Sequence, residues 1–179
     1  SQAGYVRHAE WNDLTGEFQI EVVNEGYYYG PLDVALDHDD EPHISFHDHS
    51  TENQMHSYRE FGIWINESID HPGHDGWDNR IAIDSNNHPH TSTVDPNNAI
   101  EYAWYDGNEW TVEQVGSDEI PYQYGTAIAL DANDVPHITY FAIANQDLAY
   151  AVRVDGVWDV RVIDTEGDVG RFADLALDS

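Results

Sequence analysis

The chain of 179 residues carries six Lys+Arg against 35 Asp+Glu, a formal net charge of −29, and all six cations are Arg. That balance disfavours nucleic acid and anionic membrane surfaces, whose recognition needs clustered cations. Six Trp, eleven Tyr and five Phe argue against the disorder that such charge otherwise implies.

In chain order, SQAGYVRH carries no signal-peptide pattern, and no later run approaches a membrane span. FQIEVV from Phe18 alternates like a half-exposed strand. After the loop NEGYYYGP comes the phrase DVALDHDDEPHISF, which recurs as RIAIDSNNHPHTST and AIALDANDVPHITY and ends in DLALDS. The marker Asp stands at Asp37, Asp84, Asp131 and Asp178, a step of 47 residues each time (84 − 37, 131 − 84, 178 − 131). Pro42, Pro89 and Pro136 keep the register, as do His43, His90 and His137. A period of this length marks an array of supersecondary units.

Each unit reads as four strands. The first ends at the marker, and its small Ala suits close packing. A polar turn follows, closed by the Asp side chain itself. The second strand starts at Pro, where a missing N–H costs least. The third is MHSYRE, IEYAWY or LAYAVRV, and the fourth begins at Trp64, Trp110, Trp158 or Phe18. No segment keeps a helical apolar period. Repeated four-stranded antiparallel units of this size predict an all-β fold, a β-propeller with blades of about 47 residues. About four blades fit the 179 residues, read as a single propeller domain or a propeller fragment. Three closures are open: a piece of a larger ring, a ring closed by strands from both termini, or a homo-oligomer joined through unclosed strand edges.

The ALDxxxxPHIxY phrase with its later W-x-V resembles the secreted β-propeller repeats of bacteria and archaea laid out like NHL and Asp-box repeats. The resemblance covers the whole chain and implies the architecture. The Asp-box spacing itself is not met, so no sialidase activity is implied.

Features that repeat at the blade period read as structural. The markers are turn caps, His43, His90 and His137 hydrogen-bond nearby turns, and the tryptophans pack between blades. Functional residues are sought where repetition fails. The loops entering each first strand offer Tyr27, Tyr28, Tyr29, Trp77, Tyr122, Tyr124 and Arg171, of which Tyr29, Trp77, Tyr124 and Arg171 are the ligand-binding candidates. Aromatic faces beside carboxylates suit sugars. Loops after the second strands add Asp95 and the run FHDHST, in which His47 and His49 flank Asp48. His47 and His49 share a strand face and are candidates for a divalent cation such as Ca or Zn, given a third ligand from elsewhere.

Cysteine is absent, which removes thiolate chemistry and disulfides. No nucleophile elbow, HExxH or phosphate loop occurs, and no catalytic residue is assigned. The expected function is non-catalytic recognition of a glycan or protein by an extracellular or cell-surface, salt-adapted protein, through its aromatic loop face. Two alternatives stand beside it: a polysaccharide lyase or glycosidase acting at the propeller mouth, and a structural repeat that builds an assembly.

Overall fold

The computed structural model describes residues 4–26, 30–69, 77–95, 99–116, 125–142 and 144–178, and their regular structure is all β. A hairpin opens the chain: β1 (Gly4–Asn12) pairs with β2 (Glu17–Gly26). Three four-stranded antiparallel sheets follow in sequence order. The first blade is β3 (Asp33–Leu36), β4 (Pro42–Asp48), β5 (Asn53–Glu60) and β6 (Ile63–Ser68). The second is β7 (Trp77–Ile83), β8 (Pro89–Val94), β9 (Ile100–Tyr105) and β10 (Trp110–Val115). The third is β11 (Thr126–Leu130), β12 (Pro136–Ala142), β13 (Asp147–Val154) and β14 (Val157–Asp164).

The repeated phrase sets the register of every blade. Leu36 pairs with Pro42, Ile83 with Pro89 and Leu130 with Pro136. Between them the marker carboxylate holds its own turn. Oδ1 of Asp84 accepts the N–H groups of Asn86 and His88 at 2.8 and 2.7 Å, and Oδ1 of Asp131 accepts those of Asn133 and Val135 at 2.8 and 2.9 Å. Asp37 does the same for Asp39 and Glu41. The turns also need a left-handed residue, and Asp40, Asn87 and Asp134 supply it with φ of 61°, 65° and 61°, a conformation that Asp and Asn adopt more readily than other side chains.

The blades are arranged as a propeller. Asp33, Arg80, Ala127 and Asp174, spaced 47 residues apart in the sequence, all line one cavity of about 450 Å³. The first strands therefore converge on an axis. The second strands lie one layer out and are buried along their length, while the fourth strands are only partly covered. Val94, Tyr102, Ile138 and Tyr140 belong to the core between the second and third blades, and Val6, Val23, Ile44 and Phe46 fill that between hairpin and first blade.

One expected strand is not formed. DLALD, residues 174–178, lies outside every ladder. In the three complete blades this run is held by a following Pro-initiated strand, and among the described residues no such strand pairs with it. A lone extended run has backbone groups and no ladder to satisfy them.

Asp84 is far more enclosed than Asp131. Replacing it by Ala strips two backbone N–H groups of their acceptor, and the expected cost is about 1–3 kcal/mol. Asp131→Ala should cost less, because solvent reaches its turn. Urea unfolding of the two variants checks the order, and equal stability of Asp84→Ala and the parent would contradict it.

Candidate functional site

Adjacent blades are joined by one recurring contact. In the hairpin and the first two blades the register sets a residue opposite a glutamate: His8 opposite Glu21, His56 opposite Glu67, Tyr102 opposite Glu113. The glutamate side chain reaches the next blade. Glu21 accepts the indole N–H of Trp64 at 3.0 Å, Glu67 that of Trp110 at 3.0 Å, and Glu113 that of Trp158 at 2.7 Å. The tryptophans thus work between blades, donating as well as packing.

The residue opposite each tryptophan decides whether the interface is full or hollow. Arg59 pairs with Trp64 and Arg153 with Trp158, whereas Tyr105 pairs with Trp110. Arg59 spans Glu41 at 2.7 Å and Glu10 at 3.1 Å, and lies 3.6 Å from Glu21. Arg153 donates to Glu113 at 2.6 Å, with its guanidinium 5.0 Å from the Trp104 ring centre. In both interfaces the arginine fills the gap. At the middle interface Tyr105 takes the place opposite the tryptophan, and a cavity of about 250 Å³ remains, lined among others by His43, His56, Tyr58, Arg59 and Glu67 of the first blade and His88 and Tyr105 of the second.

The cavity wall is a stack of near-parallel rings. His43 lies 5.1 Å from His56 at 25°, and His56 lies 5.3 Å from Tyr58 at 15°. Trp110 meets His56 edge-on at 5.4 Å and 70°. A hydrogen-bond chain runs through the imidazoles. Nδ1 of His56 is 3.0 Å from Oε1 of Glu67, and Nε2 of His56 is 2.9 Å from Nδ1 of His43. A carboxylate only accepts, so Nδ1 of His56 carries a proton, and when that ring is neutral its Nε2 accepts from Nδ1–H of His43. His43 then presents a bare Nε2, 3.8 Å from Oδ2 of Asp37.

The titration behaviour agrees with this chain. Burial first, and the neighbouring His56 second, lower the pKa of His43 to about 4, so it is neutral at pH 7. Burial would raise Glu67, but hydrogen bonds from His56 and Trp110 outweigh it and hold the acid below its ordinary range. Burial, then Glu67 and Glu60, push Tyr58 up, so its hydroxyl stays protonated.

The equivalent histidines of the other blades make shorter chains. His90 and His137 meet the Tyr102 and Tyr150 hydroxyls, and each sits near its marker, 3.6 Å from Asp84 and 3.9 Å from Asp131. Only in the first blade does a second imidazole stand in the tyrosine slot and carry the chain on to a glutamate.

The residues expected from the loops fare differently. Tyr29 and Tyr124, with Tyr27, Tyr28 and Tyr122, lie outside the described residues. Trp77 opens β7, paired with Val94. Arg171 grips Asp168 through two bonds of 2.7 Å, with its guanidinium 5.1 Å from the Phe141 ring centre. Arg171 does not line the inter-blade cavity. His47 and His49 do come together, joined by Glu52. Sequence reasoning passed over the cavity residues because His43 repeats. The usable signal was Tyr105, which breaks the arginine found opposite Trp64 and Trp158.

No protein-family model matches the chain, and no curated protein sequence matches it. Solved structures do. A fucose lectin from Kordia zhangzhouensis, in complex with methyl-fucoside, shares 15% identity at a TM-score of 0.55, covering 75% of this chain and 99% of that one. AofleA from Arthrobotrys oligospora, with three arginines changed to alanine, shares 14% at 0.65, covering 91% and 51%. The Aleuria aurantia lectin with α-methyl-L-fucoside shares 13% at 0.61, covering 86% and 51%. The chain thus spans about half the length of the latter two. At these identities the likeness shows the fold, that of β-propeller lectins.

The His43 shift has a signed consequence. Its folded pKa of about 4 lies below the ordinary 6.5, so the unfolded chain binds the proton more tightly. The contribution of neutral His43 is complete above pH 6.5 and is lost as pH falls toward 4, on the order of 3 kcal/mol in all. Urea unfolding at pH 7 and pH 4.5 should show a smaller acid loss for His43→Gln than for the parent. An identical loss would mean that His43 is not buried neutral.

Proposed function

We propose that this chain is a non-catalytic carbohydrate-recognition module that takes a sugar ring into the cleft between the first and second blades. The observation that carries the reading is the hollow interface at Tyr105, set between two interfaces closed by arginine. Its volume lies just under the usual range of ~300–1,000 Å³ for small-molecule pockets, which suits a single ring. The cleft offers what a sugar needs: ring faces for C–H groups, and acceptors for hydroxyls. The Nε2 of His43 and the Asp37 carboxylate are two acceptors 3.8 Å apart, and two neighbouring sugar hydroxyls could donate one to each. The Kordia and Aleuria lectins, which share the fold, are in complex with methyl fucosides, which makes methyl α-L-fucoside the first probe.

The hydrolase reading fits the cleft less well. A glycosidase needs one carboxylic acid held protonated, and Glu67 is displaced in the opposite direction. The aromatic loop face remains a second surface on which the same module could take a longer glycan or a protein.

Tyr105→Arg tests the cleft directly, because it supplies the residue that closes the other two interfaces. It should keep the fold, donate to Glu67, and weaken sugar binding at least tenfold, or about 1.4 kcal/mol. A glycan array followed by calorimetry on the best ligand gives the readout. Undiminished binding by Tyr105→Arg would sink the proposal.

We place the protein outside the cell or on its surface, in saline water. The net charge of −29 supports this, since screening shortens from ~10 Å at 0.1 M salt to ~3 Å at 1 M. The urea midpoint should therefore rise between 0.1 M and 2 M KCl, and a midpoint that does not move would remove the salt-adapted reading.

Self-association belongs to the same proposal. Phe18 occupies the tryptophan slot of the hairpin and is 65% exposed, and Arg161 occupies the glutamate slot of the third blade with its side chain 66% exposed. These two faces lack the packing that joins the other blades, which supports pairing between copies. Light scattering reads the mass, and a strict monomer at high concentration would count against it.

A further inference from the structure

At the other end of β4 from the cleft, roughly 13 Å along the strand, the repeat breaks a second time. The slot two residues after Ser45 holds His47, only 2% exposed. The same slot two residues after Ser92 holds Val94, and after Thr139 holds Phe141, both fully buried. Two blades therefore use this position as plain apolar core. The first blade places an imidazole there and incurs the cost of desolvating it.

The two other departures lie beside it. His49 sits in the turn after β4, and Glu52 stands where the third blade has Gln146, one residue before Asn53 and Asp147, the first residues of β5 and β13. Nε2 of His47 is 3.6 Å from Oε2 of Glu52, and Nδ1 of His49 is 3.5 Å from Oε1 of Glu52. One donor atom from each of the three residues falls within 4.8 Å of the others. The turn is held independently of them. Asp48 accepts Ser50 N–H at 2.8 Å and the Ser50 hydroxyl at 2.6 Å, and its carbonyl accepts Glu52 N–H at 2.8 Å.

We propose that His47, His49 and Glu52 are a binding site for a divalent transition cation, with zinc as the best fit. Zinc takes imidazole and carboxylate donors at ~2.0–2.2 Å in a tetrahedron, which sets donors roughly 3.3 Å apart. Each imidazole lies near that distance from Glu52, one from each oxygen of its carboxylate. The remaining closure falls to His49, whose side chain is about one-third exposed and has room to turn. Two nitrogen donors select against calcium, which prefers six to eight oxygens. Three protein donors would leave the fourth position of a tetrahedron to water or a ligand atom. This proposal stands apart from the sugar cleft and does not depend on it.

The test uses the whole chain, stripped with EDTA and titrated with Zn²⁺ by calorimetry, and with Co²⁺ followed by visible absorption. One Zn²⁺ per chain is expected, with the intense visible bands of four-coordinate Co²⁺. His49→Ala and Glu52→Gln alter partly exposed groups and should fold, and each should weaken Zn²⁺ binding at least tenfold. His47→Val copies the sister blade, so it should fold as well and lose the Co²⁺ bands. Millimolar Ca²⁺ should not displace the metal. Absence of stoichiometric binding, displacement by Ca²⁺, or affinity unchanged in His49→Ala and Glu52→Gln would each overturn the assignment.

Discussion

The described blade interfaces share one polar contact, an indole N–H given to a carboxylate of the preceding blade. A single four-stranded sheet is short and buries little by itself, so a propeller exists only through its blade interfaces. Here the interface is built around an ion. A half-buried glutamate must be matched by donors or it costs more than it contributes. Trp64, Trp110 and Trp158 each meet part of that need, and a second donor meets the rest. Between the second and third blades that donor is Arg153, from across the interface. Between the first and second it is His56, from the same blade as its glutamate.

That exchange of donors explains why a cleft is tolerated. With Tyr105 in the arginine slot, Glu67 would be under-satisfied if position 56 kept the tyrosine of the other two blades, whose hydroxyl is engaged by His90 or His137. Histidine at 56 accepts from His43 on one nitrogen and donates to Glu67 with the other. The two substitutions therefore compensate: one removes the guanidinium and opens space, and the other restores the hydrogen bond. The structural chain that ends at a hydroxyl elsewhere becomes, in this blade, a line of polar atoms along an open wall.

The fold was largely legible because its determinants are local and repeated. The Asp that caps a turn, the Pro that starts a strand and the Trp that starts the next each act within a few residues, so their period shows in one reading. The inter-blade contacts are about 43 residues long in sequence, and a pairing that distant has no local signature. The cleft was hidden for a related reason. His43 repeats and so looks structural, and in two blades it is. What distinguishes the first blade is a pair of unlike residues, His56 and Tyr105, on different sheets, which only the assembled interface sets side by side. His47 and His49 were visible from their alternation, but Glu52 was not, since it reaches them through a turn whose left-handed φ of 58° follows no strand period. DLALD failed as a strand because its pattern describes a face, and a face without a paired neighbour does not make a ladder.

The two departures from the repeat differ in how the protein's field treats what they would hold. A net charge of −29 raises the local concentration of cations and repels anions over a Debye length. A neutral sugar feels neither effect, and in the proposed cleft its contacts would include an imidazole without charge, a protonated phenol and a glutamate held by two donors. Its association is thus governed by shape and hydrogen bonding, and salt matters to it only through the stability of the fold. A divalent ion at His47, His49 and Glu52 is drawn in by the same field, and high salt competes with that attraction. On the salt-adapted reading proposed above, strong salt would favour the fold by screening its self-repulsion, leave sugar binding in the cleft unaffected and discriminate against weakly held surface cations. Two imidazoles then matter more than the acids around them, because inner-sphere bonds to nitrogen survive where the long-range field has been screened away.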